Sequence, residues 1–272
     1  MTTSTLNARI PEHAPYLGSA DSDWDRIPLG VGADGEVAWN PSNAPHLLIT
    51  GPVGSGKSVV QRNILLHLLQ HKDKWGFIGI DPKGVELTSY AEYEVVRDIA
   101  TTPTDAVSLL RNVELELHNR YALMENEGVQ RFTDLSNPPE ALLVMIDLLP
   151  NLLSPHPENR SAMVLKATAE RILVYLAKWG RTAGIHLVCG AQRADTSTFR
   201  RKLKCNFTAR IACGQMSETA SQLALDSDAA MHLPADVRGR AIIQVHGQDE
   251  EFQMYYAPPT WADENLSYLS ET

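Results

Sequence analysis

The sequence predicts one α/β domain built on a mostly parallel central sheet flanked by helices. Three observations carry that expectation. Short apolar runs alternate with long segments of helical period. Residues 142–146 are apolar at every position, as in a strand covered on both faces. A glycine-rich loop, Gly51-Pro-Val-Gly-Ser-Gly-Lys-Ser58, joins a strand pattern to a helix pattern.

The elements follow in order. Residues 1–30 are polar and rich in Pro, Asp and Ser, and read as a mobile arm. The regular domain spans 31–262, and a tail of 263–272 closes the chain. Residues 46–50 form a strand that ends at the glycine loop. Residues 58–70 place Val60, Ile64 and Leu68 on one helical face. A second strand is expected over 75–81. Ala106, Leu110, Val113, Leu117, Tyr121 and Met124 recur every three or four residues, the buried stripe of a long helix that Gly128 can end. A strand over 142–146 precedes a helix over 161–179. Further strands are read at 185–189, 208–212 and 240–245. No linker divides these elements and no fixed-period repeat is visible.

The 272 residues are 43% hydrophobic, enough for a sizeable core. A formal net charge of -9 excludes whole-molecule attraction to nucleic acid, so any DNA contact must come from a local basic patch. The three cysteines, Cys189, Cys205 and Cys213, make no CxxC pair and fit a reducing, cytoplasmic setting. The first thirty residues lack a basic stretch followed by an apolar one. The most apolar run, 141–150, is broken by Asp147 and Pro150, so no membrane association is expected.

The loop matches GxxxxGK[ST] at every defined position, and chemistry dictates each residue type. Gly51, Gly54 and Gly56 let the backbone curl until its N–H groups point inward at phosphate oxygens. Lys57 neutralises the β and γ phosphates, and Ser58 offers a hydroxyl to Mg²⁺. Ser55 and Val59 complete the expected nucleotide contacts. The helix that begins here adds its N-terminal dipole. The expected ligands are therefore ATP and Mg²⁺. Asp147, ending the apolar strand, is the second expected metal residue. Many ATPases carry a glutamate directly after that aspartate to polarise the attacking water. Here the residue is Leu148, which can neither accept a proton nor orient water. Glu86 and Glu158 are the candidate substitutes, and slow or absent hydrolysis is the other expectation.

Several ordered blocks resemble the motor domain of the FtsK/SpoIIIE family over roughly residues 27–256. Ala44-Pro-His-Leu-Leu-Ile-Thr-Gly51 leads into the loop as in that family. Ile80-Asp-Pro-Lys-Gly-Val-Glu-Leu87 is similar to its DPK-x-VEL block, and Arg120-Tyr-Ala-Leu-Met124 to its RY-x-LM segment. Gly180-Arg-Thr-Ala-Gly-Ile-His186, Ala191-Gln-Arg193 and Asn206-Phe-Thr-Ala-Arg-Ile-Ala212 resemble its RAAGIH, TQRP and N-x-PTRIA blocks. The resemblance implies a RecA-like domain in a hexameric homo-oligomer, with double-stranded DNA through the ring pore and ATP between subunits. It implies that Arg181 is a finger reaching a neighbour's γ-phosphate and that Gln192 senses that phosphate. Arg193 and Lys204 would face the DNA.

The residues agree in part. Arg200-Arg201-Lys202-Leu203-Lys204 is the densest basic cluster, and Arg201, Lys202 and Lys204 suit a phosphate backbone. Glu218 stands where the family often has lysine, and Ala194 replaces a usual proline. The ordered blocks without flanking membrane or winged-helix regions resemble the short members carried by phages and plasmids. Two other functions stay open: a nucleotide-gated assembly module without catalysis, and a coupling ATPase for protein substrates.

Overall fold

The computed structural model describes residues 10–153, 160–192 and 201–266. In chain order the strands are β1 (Ala14–Pro15), β2 (Ile27–Gly32), β3 (Gly35–Trp39), β4 (His46–Thr50), β5 (Trp75–Ile80), β6 (Val96–Ala100), β7 (Ala141–Ile146), β8 (Ile185–Ala191), β9 (Ala209–Cys213), β10 (Arg240–Val245) and β11 (Gln248–Tyr256). The helices are α1 (Lys57–Gln70), α2 (Pro103–Glu127), α3 (Leu149–Leu153), α4 (Arg160–Trp179), α5 (Arg201–Lys204), α6 (Glu218–Leu225) and α7 (Trp261–Asn265).

One eleven-stranded sheet runs β3-β2-β11-β10-β9-β4-β8-β7-β5-β6, with β1 paired to β11. From β9 to β6 every pairing is parallel. β4, β5, β7 and β8 are buried at every position, which is why their sequences are continuous apolar runs. The other half, β10, β11, β2 and β3, is antiparallel, and the expected sheet did not include most of it. α1 packs on β2, β11 and β5, whereas α2 and α4 pack on each other and on β6 and β8. The predicted stripe of α2 faces inward, and Gly128 ends the helix in the left-handed conformation at φ 68°. No described helix is long and apolar enough to cross a membrane.

Residues 10–30, expected to form a mobile arm, are instead part of the body. Ile10, Ala14, Tyr16, Ile27 and Leu29 are buried. Their polar neighbours bond to α1 rather than to water. The Ser19 hydroxyl meets His67 Nδ1 at 2.9 Å, and His67 Nε2 lies 3.0 Å from the Trp24 carbonyl. Gln70 donates to the Tyr16 hydroxyl and accepts from the Ser19 amide, each at 2.9 Å. The Tyr16 ring packs edge-on against Trp261 at 4.9 Å. The far boundary moves as well, because α7 runs across the expected boundary at 262 and the buried Leu266 lies within the expected tail. Residues 1–9 and 267–272 lie outside the described residues.

Arg120, from the RY-x-LM block, is a structural residue with 2% exposure. Its guanidinium donates to the carbonyls of Ala183 at 2.8 Å and Glu140 at 2.9 Å, and to Glu116 at 2.5 Å. It thus ties α2 to the turn that carries Arg181. Replacing Arg120 by Leu should lower the unfolding free energy by about 3 kcal/mol, because carbonyls and a carboxylate lose their donor. Chemical denaturation measures it, and a loss below about 1 kcal/mol would contradict the assignment.

Three buried histidines resist protonation. Burial lowers His46 to about 3, His67 to about 4 and His186 to about 4, from 6.5. An unfolded chain takes up these protons below about pH 6.5 and the folded one does not. Stability is therefore complete above that value and falls as pH drops toward 4, by roughly 1.4 kcal/mol per pH unit for each histidine. Urea midpoints at pH 7.5 and 5.0 should show the loss, and His67→Gln should shrink it. Equal midpoints would refute it.

Candidate nucleotide site

The parallel register brings five strand ends to one edge. Thr50 pairs with Ala191 and Ala212, Ile80 with Ile146, and Ile146 with Cys189. Gly51, Asp81, Asp147, Gln192 and Gly214 therefore all leave the sheet at its carboxyl edge, where open α/β sheets bind ligands.

Sterics force the first glycine of the loop and backbone conformation the last. A Cβ at Gly51 would come within 2.4 Å of Ser55 Oγ and 2.6 Å of the Cys213 carbonyl oxygen. Gly56, at φ 104°, lies so near Met254 that a Cβ would reach its sulfur at 2.9 Å. Because Gly56 precedes α1 it offers no side-chain cap, and no acidic residue occupies the first turn. The leading amides of α1 are thus left to an anion. Lys57 curls over the loop and its Nζ donates to the Gly51 and Pro52 carbonyls, both at 2.8 Å. Burial lowers the Lys57 pKa, Lys83 acts in the same direction, and Cys213 and Asp147 oppose. Ser55 Oγ is buried and completes no hydrogen bond among the described residues, an orphan facing the same loop. Beside the loop, a cavity of about 370 Å³ is lined by Gly54, Ser55, Gly56, Val59, Arg238 and Tyr255, among others. Its aromatic and aliphatic walls suit a nucleobase.

Asp147 is 5% exposed. Burial raises its pKa, the Asp81 and Glu86 carboxylates add to the rise, and Gln61 and Lys83 oppose it. Divalent cations answer this arrangement, since they favour the ionised carboxylate. The Ser58 hydroxyl and Asp147 carboxylate are hard oxygen donors that fit Mg²⁺. Among the described residues no three His, Cys, Asp or Glu side chains form a metal cluster, so phosphate oxygens and water would complete the shell.

Asp81 has another task. Its carboxylate accepts the amides of Lys83, Gly84, Val85, Glu86 and Leu87 at 2.8–3.1 Å. Burial opposes ionisation, yet the amides outweigh it and hold the pKa below the usual range. The loop carrying Glu86 is therefore fixed. Leu148 is buried and left-handed at φ 58°.

Arg181 lies at the other edge of the sheet. It precedes β8, whose seven residues span about 23 Å, and its Nε donates to the Ser42 carbonyl at 3.2 Å. It cannot reach the glycine loop of its own chain. Gln192 is exposed at the carboxyl end of β8 and shares a cavity of about 260 Å³ with Thr50 and Ser217. Lys204, expected to contact DNA, donates to Asp226 at 2.7 Å, and Arg210 bonds the same carboxylate. A phosphate must compete with Asp226 for it. Arg201 and Lys202 belong to α5. Arg193 and Glu158 lie outside the described residues. Glu218 starts α6, where negative charge favours the helix dipole.

Sequence reasoning passed over the five-amide role of Asp81, the buried Gln61 and the wall supplied by β11. A polar Gln61 among Val60, Ile64 and Leu65 was the available signal for one. Asp-Pro-Lys-Gly was the signal for another, as a side chain positioned to bond its own turn.

The family model described as FtsK/SpoIIIE family matches residues 18–141. The DNA translocase FtsK of Streptococcus agalactiae is 30% identical over 225 residues, 76% of this chain and 26% of the relative. That of Helicobacter pylori is 32% identical over 222 residues, 76% of this chain and 25% of the relative. The chain thus spans about a quarter of the length of these relatives. Among solved structures, the pCW3 conjugation coupling protein TcpA, in its monomer form with ATPγS, superposes with a TM-score of 0.87 at 26% identity, over 96% of this chain and 73% of that one. The cytoplasmic domain of the Thermomonospora curvata Type VII secretion ATPase EccC shares the fold at TM-score 0.75 and 22% identity, over 91% and 31%.

The strain at Leu148 can be weighed against its burial. The left-handed conformation costs a leucine about 1–2 kcal/mol, whereas losing a buried leucine side chain costs about 2–5 kcal/mol. Leu148→Gly should therefore destabilise by about 1–3 kcal/mol despite relieving the backbone. A stabilised variant in thermal or chemical denaturation would show that strain dominates.

Proposed function

Because the chain belongs to the FtsK/SpoIIIE family, we propose that it is an ATP-driven motor that moves double-stranded DNA through a ring of its own subunits, most simply six. One observation supports this above the rest: the phosphate cradle and Arg181 occupy opposite edges of the same sheet. A single chain has half a site at each edge, and stacking subunits side by side in a ring joins the halves.

In this reading Gly51, Gly54, Ser55, Gly56 and Lys57 hold the triphosphate, and Val59 with the β11 wall holds the base. Ser58 and Asp147 would hold Mg²⁺, which would supply charge neutralisation at the phosphates. Lys57 leaves the loop carbonyls for the phosphate oxygens. Arg181 enters from the neighbour and neutralises charge at the γ-phosphate, a contribution worth orders of magnitude in rate. Gln192 reports the γ-phosphate to the segment that follows it and carries Arg193. Arg193, Arg201, Lys202 and Lys204 contact the DNA backbone, Lys204 by exchanging Asp226 for phosphate. Such contacts carry no base information, so binding is salt-dependent and tolerant of sequence.

Leu148 favours a second reading, in which ATP stabilises subunit contacts and is not cleaved. Turnover separates the two. The wild-type protein with Mg²⁺ should hydrolyse ATP faster when linear duplex DNA is added, and Lys57→Ala should abolish this. Unstimulated turnover at the Lys57→Ala level would exclude the motor. The trans arrangement has its own measurement: Lys57→Ala and Arg181→Ala should each be inactive alone and recover part of the rate when mixed. No recovery in assembled mixtures would count against it.

A further inference from the structure

We propose that Glu86 is the catalytic base for ATP cleavage in this chain, standing in for the carboxylate that Leu148 lacks, and that Gln61 positions the attacking water beside it. The inference rests on the reading of the glycine loop as an ATP site.

Three features of the molecule carry it. The first is placement. Asp81 and Asp147 end β5 and β7, which are adjacent and in register at Ile80 and Ile146. A residue just beyond β5 can thus serve the same phosphate as one just beyond β7. Glu86 meets that condition, because the chain after Asp81 folds back over the first turn of α1. There Glu86 lines a narrow crevice together with Ser58 and Gln61.

The second is rigidity. The Glu86 amide is one of five donors held by the Asp81 carboxylate, at 2.8 Å. Surface glutamates sample many rotamers from a mobile backbone, but this one hangs from a fixed backbone. Fixing a base in advance is what allows a proton transfer to contribute on the order of 10²–10⁴ in rate.

The third is Gln61. It is 2% exposed, and its amide lies close enough to Asp147 to lower that carboxyl's pKa, although neither amide atom completes a well-formed hydrogen bond among the described residues. It follows Ser58 by one helical turn and faces the same crevice as Glu86. Beside Asp147 this amide is left with unfilled donor and acceptor capacity, and a buried polar group in that state costs about 1–3 kcal/mol. An amide can donate to and accept from one water, so a water placed here would satisfy it.

The step balances without a further reactant. A water oxygen bonds to the γ-phosphorus while the bond from that phosphorus to the β,γ-bridging oxygen breaks, and the ADP oxygen keeps the electron pair. Glu86 takes the proton released by the water. The products are ADP and phosphate.

Glu86→Gln keeps the shape and removes the base. Wild type and variant are compared for binding of a fluorescent ATP analogue with Mg²⁺, and for ATP hydrolysis with and without linear duplex DNA. Nucleotide affinity should stay within about 3-fold while hydrolysis falls by roughly 100-fold or more. Gln61→Leu should show the same split, with a thermal midpoint close to wild type, since the amide it removes forms no well-formed hydrogen bond and only approaches Asp147. A purely structural Gln61 would not lower hydrolysis while preserving stability. If Glu86→Gln hydrolyses ATP within 3-fold of wild type, or loses nucleotide binding, Glu86 is not the base. If wild type binds the analogue and cleaves no ATP under either condition, the base assignment fails while the ATP site stands. If wild type does not bind the analogue, the ATP site itself fails.

Discussion

The turn from β4 into α1 constrains everything at the carboxyl edge. Between a fully buried strand and a helix, the backbone passes the Cys213 carbonyl with no room for a Cβ at Gly51, then turns beside Met254 through a φ of 104° at Gly56 that strains any other residue. The crowding at Gly51 sets the loop against β9, and the turn at Gly56 brings it beside Met254 of β11. The head of α1 is consequently held as a rigid anion receptor rather than organised by its ligand. Pre-organised amides gain from an arriving phosphate without first being ordered. The antiparallel half of the sheet, which bears no phosphate chemistry, matters because it supplies Met254 and the wall behind the loop.

The parallel half was legible in the sequence because its strands are buried on both faces. No alternation is needed there, and β4, β7 and β8 appear as unbroken apolar runs. The antiparallel half hides its nature. β2 contains Pro28 and two glycines, and β11 begins with four polar residues before Phe252. Local patterns of that kind argue for loops, and only pairing across the chain overrides them. Residues 10–30 misled for a related reason. Their polar composition suggests solvation, whereas Ser19 and the Trp24 carbonyl are bonded to His67 and His71 of α1 and the turn after it. Composition counts polar groups and cannot say where their partners are.

The site divides along the same line. The glycine loop, Lys57, Ser58 and Asp147 are adjacent in sequence to elements that announce themselves, so short motifs suffice to nominate them. Asp81 sat inside a recognised block without an evident role, because its five acceptor contacts exist only once the chain after β5 has turned back. Lys204 shows the opposite gap between sequence and structure. A cation in a basic run suggested an exposed phosphate contact, but Asp226, twenty-two residues away in sequence and left-handed at φ 58°, comes round to hold it.

The two-residue strand β1 joins the end of β11 in parallel at Tyr255 and Tyr256, and the Tyr16 amide continues the ladder to the Tyr256 carbonyl at 3.0 Å. His13 lines the same cavity as those tyrosines. The beginning of the described chain is therefore masonry in the wall of the cavity beside the glycine loop. A fragment trimmed to the motif-bearing region from Val31 onward would leave that end of β11 as a bare edge, with Trp261 stripped of the Tyr16 ring. Exposed strand edges beside aromatic surface invite pairing between molecules. Such a fragment would retain every motif and still tend to self-associate.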